Sequence, residues 1–257
     1  MNIDLENTLA LVVAWAKEVG EVQRSYFRSD HLELETKSTV HDVVTKVDKL
    51  SESMLIERIG KCFPGHSVLG EESGEHDAHS DYLWVVDPLD GTNNYSQGLP
   101  VFCVSIGLQY QGETLLGVVY APYLNELYTA IRGKGAFLNG SPIHVSDKTE
   151  LDRSVLATGF PYDKGIHPVN NIDNLSRILP HLRGIRRMGS AAYDLCGVAA
   201  GFLDGYWELG LKLWDVCAGV LIVQEAGGHV EPFREDRGIA ILAGNVGVVE
   251  KMKEYIS

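Results

Sequence analysis

Apolar residues recur near the start of the chain at Leu5, Leu9, Val12, Val13, Ala16, Val19 and Tyr26. Steps of three and four put them on one face of a helix, so the spacing predicts a long amphipathic helix over 4–27. Val47, Leu50, Met54, Leu55 and Ile59 repeat the pattern over 46–60, and Gly60 stands where a helix would stop. After that the apolar runs shorten. HSVLG and YLWVVD have the length and bounds of strands. From Phe102 to Phe137 the runs FCVSIGLQY, ETLLGVVYA, NELYTAI and GAFLNG are punctuated by QG and NG, which predicts an antiparallel meander.

The second half alternates. SVLATG reads as a strand, 168–180 as a helix ended near Pro180, and GIRRMG as a short strand. An Ala-rich helix is predicted over 190–201, then the strand LDGYWEL, then a helix over 213–227 closed by Gly227-Gly228. GHVEP and IAILAG are strand-like, and 246–255 is a last helix. Such alternation points to βα units. The expected architecture is an α+β half over 1–145 and a mixed α/β half over 146–257, packed as one body. There is no internal repeat, low-complexity tract or long linker.

Composition narrows the class. At 257 residues and 45% hydrophobic, the chain can bury a large core without disulfides or metal staples. A formal charge of −13 disfavours nucleic acid, which is held by Lys and Arg displacing counterions, and disfavours an anionic membrane surface. It is compatible with binding cations. Cys62, Cys103, Cys196 and Cys217 form no C-x-x-C pair and lie in apolar text, so buried thiols in a reducing compartment are expected. MNIDLENTLA lacks a basic leader region, and LALVVAWA is too short to span a bilayer. These features predict a cytoplasmic protein.

One stretch carries more than fold. In WVVDPLDGTNNY, residues 84–95, an apolar run leads straight into Asp87, and Asp90 follows three residues later. A buried carboxylate without a partner is costly. Gly91-Thr92-Asn93 reads as a helix or turn entry whose free N–H groups attract anions. Carboxylates beside an anion site repel the anion unless a cation lies between. A plain turn with a capping Asp is the commonest meaning of DPLDG taken alone. An EF-hand fails, because counting from Asp87 the third, fifth and twelfth positions hold Leu89, Gly91 and Gly98. An aspartyl-phosphate D-x-D-G-T motif fails on spacing. What raises the metal reading is company: Gly70-Glu71-Glu72-Ser73 after a short strand, Asp48 at the start of the second helix, and Trp214-Asp215 opening a later one. Each alone has an ordinary reading as a solvated turn, a cap or a dipole partner.

Taken together, GEES, WVVDPLDGTNNY and the run from Trp214-Asp215 through AGVLIVQEAGG resemble the inositol monophosphatase family of Mg²⁺-dependent, lithium-sensitive phosphatases. The resemblance covers nearly the whole chain. It implies a layered α-β-α-β-α sugar-phosphatase fold, antiparallel-rich in the first half. It implies two or three Mg²⁺ ions, with Mn²⁺ an alternative. Glu71, Asp87 and the main-chain oxygen of Leu89 would hold one ion, and Asp87, Asp90 and Asp215 a second. Asp48 and Thr92 would orient the attacking water, and the N–H groups of Gly91 and Thr92 would receive phosphate oxygens. Gly189, Ser190, Ala191 and Glu208 would face the substrate ring, and Lys37 would lie near the phosphate.

The implied reaction is hydrolysis of a small phosphorylated polyol, first myo-inositol 1-phosphate, without a covalent intermediate, in a homodimer. Relatives acting on fructose 1,6-bisphosphate, 3′-phosphoadenosine 5′-phosphate, histidinol phosphate or NADP share the metal core. A regulatory binding protein on the same scaffold is the rival of another class. The sequence departs from the usual pattern at Asn93-Asn94-Tyr95 and at Leu211-Lys212-Leu213, where Lys212 would suit an extra anionic group. The segment GFPYDKGIHPVNN, 159–171, is the expected specificity loop.

Overall fold

A computed structural model describes residues 3–29, 32, 34–36 and 43–257. Lys37 lies outside the described residues. Helix α1, Leu5–Tyr26, starts where Asp4 accepts hydrogen bonds from the N–H groups of Glu6 and Asn7, both 3.1 Å. Strands β1, Leu34–Thr36, and β2, Val43–Thr45, pair antiparallel and lead into helix α2, Lys46–Cys62. Gly60 does not end that helix. The Phe63 N–H still reaches the Ile59 carbonyl, because an exposed glycine in a last turn costs little.

Eight strands form the first sheet: β3 Ser67–Gly70, β4 Gly74–His76, β5 Tyr82–Asp90, β6 Cys103–Tyr110, β7 Glu113–Ala121, β8 Glu126–Ile131, β9 Ala136–Leu138 and β10 Ser141–Pro142. Their order is β10-β9-β8-β7-β6-β5-β3-β4, antiparallel throughout except for the parallel pair β3/β5. A short helix, α3 Thr92–Ser96, interrupts the sheet after β5.

The second sheet follows. Its parts are β11 Val155–Thr158, helix α4 Ile172–Ile178, β12 Gly184–Arg186, helix α5 Ala191–Ala199, β13 Gly205–Leu211, helix α6 Leu213–Glu225, β14 His229–Pro232, β15 Ile239–Gly244 and helix α7 Val246–Met252. The order is β12-β11-β13-β15-β14. β11 runs parallel to β12 and β13, as βα units require, but β15 is antiparallel to both its neighbours.

The layers stack α-β-α-β-α. α1 and α2 bury Trp15, Val19, Leu55 and Ile59 against Trp84, Ile106 and Val118 of the first sheet. α5 and α6 fill the space between the sheets with Leu195, Val198, Ala218 and Leu221. α4 and α7 cover the far face through Ile178, Val248 and Met252 against Trp207 and Leu242. α6 lies very close to the first sheet. A Cβ on Gly107 would sit 2.5 Å from Cys217 Sγ, and one on Gly117 would sit 2.9 Å from the Ala218 carbonyl oxygen. Two glycines therefore set how near this helix approaches.

The predicted helix over 168–180 starts late. Asn171 takes a left-handed backbone, φ 73°, and its side chain is tied to Thr158 Oγ1 and the Gly159 carbonyl at 2.9 and 2.6 Å. These ties hold residues 168–171 as loop. α6 ends before Gly227, which is also left-handed, φ 82°. Three cysteines are buried as expected, but Cys62 is exposed, because the end of α2 turns it to solvent beside Lys61. Among the described residues, no helix is long and apolar enough to cross a membrane.

Candidate active site

The site begins at an irregularity in β5. Asp87 pairs with Ser105 and Asp90 with Cys103, so β5 carries one extra residue against β6. Such a bulge re-aims side chains. Pro88 fits there because it needs no ladder donor. Its carbonyl instead accepts from the buried Gln23 Nε2 at 2.7 Å. Gly91 closes the turn at φ 94°, where a Cβ would meet the Val101 carbonyl oxygen at 2.9 Å. Only glycine fits both the conformation and the space.

The result is a cavity of about 510 Å³ between the two sheets. Of the residues that the sequence assigns to the site, Glu71, Asp87, Leu89, Asp90, Gly91, Thr92, Gly189, Ser190, Ala191, Glu208 and Asp215 all line it. Asp48 does not. It is 0% exposed and sits behind Thr92, whose hydroxyl donates to Asp48 Oδ1 at 2.7 Å. The other oxygen of Asp48 accepts from the N–H and hydroxyl of Thr45, closing the cap of α2. Asp48 is thus both cap and partner of Thr92. Burial raises its pKa, against the pull of the Thr45 and Thr92 bonds.

Each carboxylate on the first wall accepts hydrogen bonds from nearby donors. Asp87, 2% exposed, accepts from the Leu89 N–H at 3.0 Å. Asp90 Oδ2 accepts from Ser190 Oγ and the Ala192 N–H, both 2.7 Å. Asp215 Oδ2 accepts from the Lys212 N–H at 2.6 Å. Asp87 also shares a side-chain hydrogen bond with Glu71, and the Ala191 N–H acts on Asp90 as well. Burial drives the pKa of Asp87 well above the carboxylate range, with Glu71, Asp90 and Asp215 adding repulsion. Burial likewise lifts Asp215, and Asp90 is pushed up to about 6.

Glu71 is set by a residue that the sequence reading missed. Glu52 of α2, 2% exposed, accepts from the N–H groups of Glu72 and Ser73, both 2.8 Å. Its carboxylate fills the space over Gly70, where a Cβ would lie 2.5 Å away.

Opposite stands Glu208 on β13. Its Oε2 accepts from Tyr206 Oη at 2.7 Å, and its carboxylate lies flat on Gly159, where a Cβ would sit 2.0 Å away. Burial pushes Glu208 up to about 7, against Tyr206 and Arg187. Of the expected specificity loop, only Gly159 to Asp163 wall the cavity. Asp163 is tied to Arg237 through two hydrogen bonds, 2.7 and 3.1 Å. Lys212 also lines the cavity, as do Arg187, Asp194 and Arg237, which the sequence reading did not single out. Asp194 had a signal: it lies four residues after Ser190, on the same face of α5.

The donor set suits a hard divalent cation. Every candidate ligand is oxygen, and Asp87, Asp90 and Asp215 have no cationic partner among the described residues. Among those residues, no three acidic, histidine or cysteine side chains converge as a closed metal cage. The carboxylates instead surround an open volume, the arrangement that mutual repulsion favours and that a cation would draw inward.

A layered phosphatase-type fold with an acidic wall facing a polar pocket defines the class. The model for "Inositol monophosphatase family" matches residues 4–256, and the chain belongs to that family. It is 46% identical to Nus factor SuhB of Pasteurella multocida strain Pm70, over 88% of this chain and 85% of that one. It is 42% identical to Nus factor SuhB of Escherichia coli K12, over 95% and 93%. Among solved structures, the extragenic suppressor protein suhB of Bartonella henselae superposes with a TM-score of 0.90 at 37% identity, over 97% of this chain and 98% of that one. The inositol monophosphatase of Anabaena sp. PCC 7120 gives 0.86 at 39%, over 98% and 96%.

Proposed function

We propose that the protein is a Mg²⁺-dependent phosphatase of small phosphorylated polyols, with myo-inositol 1-phosphate the first candidate substrate. The observation that carries this is the gathering of Asp87, Asp90 and Asp215 on one wall, with the Thr92–Asp48 pair beside them and Glu208 opposite. Glu71, Asp87, the Leu89 carbonyl, Asp90 and Asp215 would hold two or three ions, Mg²⁺ or Mn²⁺. Bound there, the metal supplies positive charge to the phosphate and lowers the pKa of water. Thr92 takes a proton from the attacking water at Oγ1 while its own passes to Asp48 Oδ1. The N–H groups of Gly91 and Thr92 meet phosphate oxygens. Glu208, held by Tyr206, accepts from substrate hydroxyls, and Gly189 to Ala191 let the ring approach closely. No protein–phosphate bond forms. A homodimer in the cytoplasm belongs to the same reading.

Phosphate release with and without Mg²⁺ tests this. The panel is inositol 1-phosphate, fructose 1,6-bisphosphate, 3′-phosphoadenosine 5′-phosphate, histidinol phosphate and NADP⁺. Preference for a bisphosphate would move the substrate assignment towards Lys212. No Mg²⁺-dependent release from any of them would sink the proposal. The relatives named Nus factor SuhB favour a second reading, a role at the transcription machinery beside catalysis. Co-purification with RNA polymerase, independent of Mg²⁺, is its test.

Two further outcomes follow. Glu52→Ala frees the turn that presents Glu71, and Mg²⁺ affinity is expected to weaken about 10- to 100-fold, as for other partners of metal ligands. The Mg²⁺ dependence of the melting temperature reads this. An unchanged titration would show that the clamp is irrelevant to metal.

The pH response has a definite sign. Asp90 and Glu208 titrate near about 6 and about 7 when folded, above their ordinary values of 3.8 and 4.5. Between those limits the native state holds more protons than the unfolded chain, so stability falls as pH rises. His66, whose pKa burial lowers, opposes this as one group against several carboxyls. In chelator, the melting temperature should drop from about pH 5 to about pH 8. In saturating Mg²⁺ the trend should reverse, because ligands bind deprotonated. A rise with pH in chelator would refute the raised carboxyls.

A further inference from the structure

Nothing above explains the placement of Asp194 in the cavity wall. It lies on α5, is 1% exposed, and lines the cavity from the polyol side. Its Oδ1 is sealed from solvent with no hydrogen-bond partner. Among the described residues, no hydrogen bond to Oδ2 is made either, and the residue borders the cavity. A carboxyl left without partners in a protein interior costs more than an apolar side chain of the same volume. Such a group calls for an explanation outside the folded chain itself.

Its neighbours show what would satisfy it. Burial pushes the Asp194 carboxyl well above the usual carboxylate range, with Glu208 and then Asp90 adding to it and Arg187 opposing. Glu208 faces the same pocket from β13, with one oxygen already taken by Tyr206. Two carboxyls thus border the same cavity from neighbouring elements, α5 and β13, beside the acidic wall. Hydroxyl donors reaching both carboxyls would give their oxygens the hydrogen bonds that the folded chain does not. A polyol with adjacent hydroxyls presents two donors side by side. Arg187 stands at the rim, pressed against Gly189, where a Cβ would meet its Nη1 at 2.5 Å.

We propose that Asp194 is a specificity-determining residue of the polyol subsite, accepting a hydrogen bond from a substrate hydroxyl adjacent to the one that Glu208 receives. This rests on the phosphatase reading and deepens it: the substrate carries a vicinal diol, read by two carboxyls rather than one. A phosphate ester without hydroxyls would meet the acidic wall and leave Asp194 unused.

The test compares the wild type with Asp194→Ala and Asp194→Asn on myo-inositol 1-phosphate and p-nitrophenyl phosphate. The readout is the ratio of the two kcat/KM values. In Asp194→Ala the ratio should fall at least about tenfold, the scale of a lost hydrogen bond to a charged group. Asp194→Asn, which keeps an acceptor oxygen and the shape, should recover part of it. An unchanged ratio would overturn the proposal, whether both rates fall together, as for a structural role or an Arg187 tether, or neither falls. Should Asp194→Ala not fold, the asparagine variant alone decides, by a lowered or an unchanged ratio.

Calorimetric binding of myo-inositol 1-phosphate separates this idea from the broader one. A wild type that binds the ligand but releases no phosphate would sink the phosphatase reading alone. Weaker binding by Asp194→Ala would then still support the subsite, and equal binding would end it. No binding by the wild type would end both.

Discussion

Asp87→Asn is expected to cut phosphate release by at least about 10³-fold, beyond the loss of a single oxyanion donor. Asp87 is buried, and Glu71, Asp90 and Asp215 all repel its charge. Asparagine keeps the shape and can still accept from the Leu89 N–H. What it removes is the negative charge that two cations would share. In chelator the variant should be more stable than the wild type, since one of several repelling buried carboxyls is gone. In Mg²⁺ that advantage should vanish, because the wild type gains binding energy and the variant does not. Single-turnover assays and paired melting curves check both halves. Activity within about tenfold of wild type would contradict the two-metal assignment.

Gly117→Val should be the most damaging change away from the cavity. The new side chain would be driven into the backbone of α6 at Ala218, where even a Cβ lies 2.9 Å from oxygen and 3.0 Å from Cα. Overpacking of this kind costs about 1–3 kcal/mol. For a chain of this size, each kcal/mol lowers the melting temperature by about 2–4 °C. Ala218 lies one turn after Asp215, so the helix shift also moves a candidate ligand. A displacement near 1 Å costs about 10²-fold in rate, and kcat/KM should fall on that scale. Gly60→Ala is the contrast. Nothing lies within 4 Å of its Cβ, and it should stabilise α2 by about 0.5–1 kcal/mol. If Gly117→Val melted and turned over like the wild type, the close approach of α6 would have no functional weight.

Sequence reading succeeded where signals are local. Asp87 and Asp90 stood out because an apolar run ended on charge, and the motif company identified the family. The helices α1 and α2 followed from apolar period, though not the end of α2, and α6 from the Gly227-Gly228 pair behind it. It failed where the signal depends on a distant partner. Glu52 sits in SESM, which reads as a solvated helix face. Its burial arises only because β3 delivers the turn at Glu72 and Ser73 above it. Asp194 reads as an ordinary first-turn acid until the cavity appears beside it. The late start of α4 depends on Asn171 meeting Thr158 and Trp207, contacts with no trace in the periodicity. The antiparallel placement of β15 likewise depends on which edge is free, not on the strand's own residues.

The hydrogen bond from Ser190 to Asp90 closes over 100 residues of chain. During synthesis at roughly 5–20 residues per second, Asp90 is added about 5–20 s before Ser190. For that interval the growing chain exposes an acidic strand end whose stabilising donors are still to be translated. The strands of the eight-stranded sheet are therefore complete before these donors exist, and the acidic wall is finished only by the last third of the message.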